Sequence, residues 1–495
     1  WVAHNANYDW RYLLPWLDEN GKNLFISLAT DTKIMSVECE AVTMRDSFLL
    51  YPMSLKKFTK EFAPEYEKKS IDIENFNPEN PEHIEYAVND AIGLAVAVYN
   101  FRKKFSEIWG TPAKWTMASS AMKAWQTTIK TPVQPSSRHY ENFFRHCYSG
   151  GYVAPLFTGP VKNAKTFDLN SCYPAVMKQG IPGGPPSIVR KEDFNLDAPS
   201  FWCVDVETPQ GLLVPVLPWR GEPCHNNFKS FSNWPLPVKQ SRYPKGKFRT
   251  VCTSIELKFA LSIGYKITPV YGLEFEDLIF PFNDFVTTCE TLRTHYKGTA
   301  TETVVKGTQN SLYGKFGMMR IRRVVCTETE LDDNLTGWTP LEALGERYGF
   351  IVEENENMIC APHIAAWITA GARIKLFDAI YAGGASEVLY TDTDSITVTP
   401  KFDCSKIPQS KRYGDFKLEK EWQTFRAHAP KVYAGLIDGH WYGACKGIPK
   451  PDEYIFQKLY NGETVEKEYF TLSSVMKYLT DYEKREAQKV SRKST

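Results

Sequence analysis

The stretch VLYTDTDSITV, residues 388–398, places two carboxylates in the middle of an apolar, β-prone run. Val388, Leu389, Tyr390, Ile396 and Val398 suit a buried strand. Asp392 and Asp394 do not, because a bare buried carboxylate costs several kcal/mol and normally neutralises or finds a partner. Read as one strand, residues two apart share a face and lie about 6.6 Å apart along the chain. Asp392 and Asp394 then project together, with Thr393 on the other face and Ser395 helping to end the strand. Read as a turn, Asp, Thr and Ser cap their own backbone. The tetrapeptide alone leaves both readings open. The functional reading is a magnesium site, since hard cations take oxygen ligands and often rest on a few carboxylates plus substrate phosphates.

Around this run lie 495 residues, enough for about two to four domains. A hydrophobic content of 43% and a charged content of 24% describe an ordinary globular chain with a sizeable core. No run of about eighteen apolar residues exists, so no membrane span is expected. The start, WVAHNANYDW, has no initiator Met and no signal-peptide pattern, and reads as a cut into a larger chain. Eleven scattered cysteines without a C-x-x-C pair argue against a disulfide framework or zinc ribbon and favour a reducing compartment. A net charge of +1 weighs weakly against a nucleic-acid protein. The basic runs at 239–249, 320–323 and 489–493, taken singly, read as solvated faces.

The first hundred residues alternate short apolar runs with helix-like stretches, an α/β pattern. Residues 83–105 have helical spacing without Pro, and a polar, aromatic connector is expected over about 106–145. GIPGGPPS (180–187) is a loop, and FWCVDVETP (201–209) alternates like a strand. Residues 288–317 read as helix, loop, helix, and 361–384 as a long helix ended by Gly383-Gly384.

A metal cluster needs a further carboxylate. KTFDLNSCYPAVM (165–177) supplies Asp168 in another short apolar run, before Tyr173-Pro174 turns the chain. Two metals about 3.5–4 Å apart stabilise the attacking and leaving oxygens of an in-line phosphoryl displacement. Asp168 and Asp394, supported by Asp392, suit that arrangement. Phosphoryl transfer also needs cations on the triphosphate. KGTQNSLYG (306–314) puts Lys306 and Asn310 on one helix face, with Tyr313 and Gly314 a turn later. Alone, that segment is more simply a capped surface helix.

DLNSCYP, KGTQNSLYG and YTDTDS follow the order of motifs A, B and C of the family B DNA polymerases, and the resemblance covers nearly the whole chain. YSGG (148–151) resembles the YxGG motif upstream of motif A, and KVY (431–433) the KxY motif downstream of motif C. Long segments after motif A and after motif B sit where the protein-primed branch carries two extra subdomains. The resemblance therefore implies the protein-primed branch of phages, viruses and linear plasmids. It implies an α/β (α+β) chain: a partial ribonuclease H-like 3′–5′ exonuclease domain, then a palm–fingers–thumb polymerase domain with two insertions. The expected divisions are 1–105 exonuclease, 106–147 connector, 148–180 palm and 181–285 first insertion. They continue with 286–317 fingers, 318–357 second insertion, 358–445 palm and 446–495 thumb.

By the same resemblance, Asp168 and Asp394 are the main ligands of two Mg2+ ions, with Asp392 weaker and Mn2+ able to substitute. Tyr173 is the steric gate that excludes a 2′-hydroxyl, and Cys172 replaces the Leu common in S-L-Y-P. Lys306 holds incoming phosphates, Asn310 lines the nucleotide pocket, and Tyr313 and Gly314 contact the nascent base pair. Arg293 and Lys297, one helix earlier, match phosphate contacts more loosely. Lys431 and Tyr433 steady the primer terminus, and Tyr148, Gly150 and Gly151 contact template.

HNANYD (4–9) resembles an exonuclease motif through Asn5, Tyr8 and Asp9. YAVND (86–90) resembles another, with Asp90 a metal ligand like Asp9, and Tyr86 orienting the attacking water. Ser54 and Leu55 resemble its single-strand-binding motif. The family's D-x-E motif belongs upstream of HNANYD. DIE (72–74) falls in the wrong order, and VDVET (204–208) lies after motif A, so neither is taken for it. The resemblance therefore implies a 3′–5′ exonuclease domain that lacks its first motif here. The implied partners are primer–template DNA, deoxynucleoside triphosphates and a terminal protein primer, with a monomeric enzyme and no membrane. The implied location is intracellular, in a host cytoplasm or in a mitochondrion for a linear organellar plasmid. The competing reading is a polymerase-shaped nucleic-acid-binding protein without catalysis.

Overall fold

The structure, a computed structural model, describes the chain except residues 8, 11–12, 15, 18–23, 31–32, 41, 68–76, 222–230, 232–233, 328–338, 341–347, 355–358, 472–487 and 495. Tyr8 and the DIE triplet at 72–74 therefore lie outside the described residues.

The run at 388–398 is a β-hairpin. Val388–Thr393 and Ser395–Val398 pair antiparallel, with Val388 opposite Val398 and Asp392 opposite Ser395. The single-strand reading is overturned, because Thr393 takes a positive φ of 66° and the Asp394 N–H donates to the Asp392 carbonyl at 2.7 Å. That is a γ-type reversal, so the two carboxylates flank a turn and are not neighbours on one pleated face. A β-branched residue at positive φ is a true outlier, so the surroundings must impose it.

The hairpin belongs to a seven-stranded antiparallel sheet. Its order is His440–Cys445, Val432–Ile437, Phe416–Ala429, Val161–Leu169, Ser395–Val398, Val388–Thr393, Tyr152–Pro155. Val161–Leu169, which carries Asp168, is thus flanked by the hairpin and by Phe416–Ala429. Inside, Trp422 Nε1 donates to Thr166 Oγ1 at 2.8 Å, and Thr166 and Thr397 share a hydrogen bond of 2.8 Å across the sheet. These bonds satisfy polar groups that burial would otherwise penalise.

The helix expected over 361–384 is Pro362–Gly383, and much of it is buried. It packs on the short helix Cys172–Met177 that follows Asp168. The expected helix-loop-helix is Asn283–His295 and Ala300–Phe316. The expected connector is more ordered than its composition suggests. It contains Met117–Thr128, which packs on Ala300–Phe316, and Arg138–Cys147, which packs on Pro362–Gly383. Its aromatic residues enter the main core: Trp125 lies against Phe282 and Phe316, and Phe144 against Phe201.

Two further sheets frame this centre. The segment expected as a first insertion has a four-stranded antiparallel sheet in the order Lys247–Thr253, Ser200–Glu207, Lys266–Glu274, Ser187–Arg190. VDVET is part of it, and Asp205 forms a two-pronged pair with Arg249 at 2.7 and 2.6 Å. The N-terminal sheet has Val2–Ala3, Thr43–Asp46, Lys33–Glu38 and Phe25–Thr30 in that order. It continues into Ile321–Thr327, so the second expected insertion extends the sheet of the first domain. Helix Pro81–Trp109 packs beside the Val2–Ala3 strand. No helix among the described residues is long and apolar enough to cross a membrane.

A Cβ on Gly371 would lie 2.5 Å from Val176 Cγ1, so the helix carrying Tyr173 approaches the long helix through a missing side chain. Gly371→Ala should lower stability by about 1–3 kcal/mol through overpacking. Adding Val176→Ala should recover part of the loss in denaturant melts; no loss in the single variant would show that the two helices can move apart freely.

Candidate active site

The sheet register brings Asp168 and Asp394 together. Asp168 pairs with Ser395 on one side and Lys417 on the other, and the Leu169 N–H donates to the Asp394 carbonyl at 2.8 Å. Burial and the nearby Asp168 charge push the Asp394 carboxyl up to about 6, and Asp392 adds to the repulsion. Lys417 Nζ lies 3.0 Å from Asp168 Oδ1. Asp392 is drawn elsewhere: its Oδ1 meets Lys431 Nζ at 2.5 Å and accepts from Thr393 Oγ1 at 3.3 Å. Among the described residues no three acidic, His or Cys side chains converge into a ready-made cage. The site is an acidic pair with a third carboxylate at its side. Two hard-oxygen donors held against their own repulsion suit a cation that also takes phosphate oxygens.

Lys431 and Tyr433 stand at the same cavity, about 360 Å³, lined also by Asp392, Asp394 and Glu419. Lys431 has a φ of 63°, and its N–H donates to Tyr390 Oη at 2.8 Å, which turns its side chain to Asp392. Tyr433 packs in an aromatic group with Tyr390 and Phe425, at ring distances of 5.0 and 5.6 Å.

After Asp168 the chain turns at Ser171, with a φ of 46°, into Cys172–Met177. Tyr173 then stacks on Tyr313, with ring centroids 4.3 Å apart and planes 17° from parallel. The two tyrosines, 140 residues apart in sequence, so form one apolar surface beside the acidic pair. Burial raises the phenol pKa of both. Arg293 binds the same turn, donating to Ser171 Oγ at 2.8 Å, Tyr413 Oη at 3.0 Å and Gln309 Oε1 at 3.4 Å. All three bonds come from Nη1, and Nε lies 3.9 Å from Glu302 Oε1.

Lys306 and Asn310 are exposed on one face of Ala300–Phe316, as their spacing predicts. They line a cavity of about 380 Å³ with Tyr51, Lys57 and Met117. Gly314 has open space around it. Gly150 is likewise open, whereas a Cβ on Gly151 would lie 2.6 Å from Thr393 Cγ2. Tyr148 lies against the end of the same helix, where a Cβ on Gly317 would meet its ring at 2.3 Å. The geometry thus gives Tyr148 and Gly151 packing tasks against two motif segments, beside the template role that the resemblance implies.

In the N-terminal domain, Asn5 has a φ of 60°, and its N–H donates to Asp46 Oδ1 at 2.9 Å. Asp46 also accepts from the Phe48 N–H at 2.9 Å. Burial raises the Asp9 pKa, with a contribution from Asp46. Tyr86 and Asp90 share a half-buried face of Pro81–Trp109. Ser54 caps Leu55–Phe62 by accepting from the Lys57 N–H at 3.3 Å, and Leu55 starts that helix.

Sequence reading missed Asp46, Lys417 and Tyr413. Asp46 had a usable signal, an acidic residue and Ser ending an alternating run, which suits a side chain that binds backbone N–H groups. Lys417 and Tyr413 are reached through pairing and packing across the sheet, for which local sequence has no mark.

Residues 1–81 and 79–337 match the profile of the family described as DNA polymerase type B, organellar and viral. A probable DNA polymerase of Neurospora intermedia is 26% identical over 408 residues, covering 77% of this chain and 40% of its own length. One from Ascobolus immersus is 27% identical over 432 residues, covering 81% and 33%. The DNA polymerase of Streptococcus phage Cp-1 is 24% identical over 422 residues, covering 79% and 69%. The chain therefore spans less than half the length of these two fungal relatives. Phi29 DNA polymerase, solved with primer-template DNA and incoming nucleotide substrates, shares the fold at a TM-score of 0.73 and 20% identity, over 100% of this chain and 90% of that one. Its orthorhombic crystal form gives 0.72 at 20% identity, over 94% and 88%. The mixed α/β class read from the sequence is the class of this fold. By the profile match, which spans well over half its length, the chain belongs to the organellar and viral type B DNA polymerases.

Proposed function

We propose that this chain is the polymerising part of a DNA-directed DNA polymerase, adding deoxynucleotides to a primer 3′ end in DNA replication. One observation carries the reading most directly: Asp168 and Asp394 are held side by side at a hairpin turn, while the stacked pair Tyr173–Tyr313 borders them.

Asp168 and Asp394 would hold two Mg2+ ions, with Asp392 secondary and Mn2+ an acceptable substitute; the metals supply charge stabilisation for attacking and leaving oxygens. The chain's own residues do the rest. Tyr173, backed by Tyr313, presents a flat face on which a sugar can lie and leaves no room for a 2′-hydroxyl. Lys306 provides a mobile exposed cation for the triphosphate and Asn310 a polar neighbour. Lys431 and Tyr433, which line the same cavity, would steady the primer strand. Lys417 and Lys431 neutralise carboxylates while substrates are absent, which lessens the cost of holding three acids together.

Primer–template DNA and deoxynucleoside triphosphates are the proposed partners, with a terminal protein whose hydroxyl starts synthesis, as in the protein-primed branch. Deoxynucleotide transfer to such a protein tests that part. Asp9, Asp90 and Tyr86 belong to the proposed 3′–5′ exonuclease half. We place the monomeric enzyme in a reducing intracellular setting, in keeping with the free thiols of the described cysteines.

The raised Asp394 pKa makes a prediction with a definite sign. The native carboxyl keeps a proton to about pH 6 that the unfolded chain loses near 3.8. Its contribution to stability is therefore greatest below the unfolded value and is lost as pH rises from about 4 to 6. Without metal, Asp394→Asn should be more stable than wild type above pH 6, on the order of 1–3 kcal/mol in denaturant melts. The same variant should lose primer extension at least a thousandfold; stability gained with extension kept would remove the metal assignment. Tyr173→Ala should raise ribonucleotide incorporation at least tenfold in competition assays, and unchanged sugar discrimination would end the gate role.

A further inference from the structure

The buried ion pair between Arg373 and Glu256 lies outside the site, yet it reaches the acidic hairpin in three contacts. Arg373, on Pro362–Gly383, is fully buried, and its Nη2 donates to Glu256 Oε1 at 2.6 Å. Its Nη1 donates to the Ser149 carbonyl and, at 2.9 Å, to the Gly150 carbonyl. Glu256 is fixed in turn by the N-terminus of its own helix, Ser254–Ser262. Its Oε2 accepts from the Thr253 N–H at 3.1 Å and from Thr253 Oγ1 at 2.8 Å, completing a capping box. The carbonyl just before, that of Tyr148, is taken by Arg220 from the same insertion.

Three consecutive carbonyls, 148 to 150, are thus gripped by two guanidiniums. The next residue, Gly151, is the one whose missing Cβ lets Thr393 come close. Thr393 is in turn the positive-φ residue that reverses the hairpin between Asp392 and Asp394. A buried ion pair is weak evidence for stability as such, since apolar replacements often do as well. Its forked, directional bonds to two successive carbonyls are better suited to fixing position.

We propose that Arg373 and Glu256 are positioning residues for the acidic hairpin: they hold the 149–151 backbone so that Gly151 braces Thr393 in its reversed turn and Asp394 faces Asp168. The coupling rests on geometry alone, and its catalytic consequence rests on the polymerase reading. It ties the first insertion, through Glu256, to the turn that carries the carboxylates.

Arg373→Lys keeps the charge but has one nitrogen in place of two, so it cannot hold Glu256 from Nη2 and the two carbonyls from Nη1 at once. In hydrogen exchange with mass spectrometry, the 388–398 peptide of this variant should exchange at least tenfold faster than in wild type. Peptides from the distant helix Glu453–Asn461 should exchange as before. Primer–template affinity by fluorescence anisotropy reads the template contacts of the same loop separately, and an extension loss explained wholly by weaker DNA binding overturns the positioning role. The Mg2+ concentration for half-maximal extension should rise several-fold and kcat fall at least tenfold. If Arg373→Lys does not fold, Gly151→Ala pushes a Cβ against Thr393 directly and should give the same exchange and extension results. Unchanged exchange of 388–398 in a folded variant overturns the coupling. Faster exchange with unaltered kcat and Mg2+ requirement overturns its role in catalysis. A wild-type chain inert in extension brings down the polymerase reading alone, and the exchange comparison still decides the coupling.

Discussion

Two carboxylates of like charge sit together where a hairpin turn meets the neighbouring strand, and much of the structure is arranged to keep them there. Left to itself the pair would separate, and burial together with the Asp168 charge raises the Asp394 pKa. The sheet prevents separation. Asp168 sits on a strand bonded on both sides, and Asp394 at a hairpin whose carbonyl is tied to Leu169. Lys417 and Lys431 supply positive charge from neighbouring strands. Carboxylates held together in this way favour a cation beside them.

Close approach is the second device. Gly151 against Thr393, Gly317 against Tyr148 and Gly371 against Val176 each bring a motif segment to a neighbour at a distance that no Cβ allows. These contacts join parts that sequence places far apart. The YSGG loop touches the acidic hairpin through its last residue and the end of the Ala300–Phe316 helix through its first. Directional bonds from the buried Arg373 and the half-buried Arg220 then hold the loop between these contacts. Precision at the acidic pair is therefore a property of the loop and its arginine clamp as much as of the two strands.

Local chemistry made some features legible before folding was considered. The long apolar helix and its glycine end, the paired helices bearing Arg293 and Lys306, and the strand with VDVET all follow from periodicity and caps. The acidic run was harder. Its apolar flanks fit a continuous strand, and only the Thr393 backbone shows that the strand doubles back. Thr rarely adopts that conformation, so no propensity argument could favour it. The helices within the expected connector were not legible for a similar reason: its aromatic residues fill the core between helices that are distant in sequence.

The sequence by itself determined the family, through ordered motifs, and the residue types of the site: three aspartates, two tyrosines, lysines at helical spacing and glycines beside them. These are chemical identities, and a chain states them outright. Which carboxylates meet was decided only by tertiary structure. Strand register sets Asp168 opposite Ser395 and so beside Asp394, whose carbonyl accepts from the Leu169 N–H, while Asp392 is left with Lys431; a shift of one residue in pairing would send every side chain to the opposite face. The same holds for Arg373, whose guanidinium links Glu256, 117 residues before it, to the 149–150 carbonyls, more than 220 residues before it. Such contacts depend on how sheets and helices pack in three dimensions, and local pattern carries no trace of them.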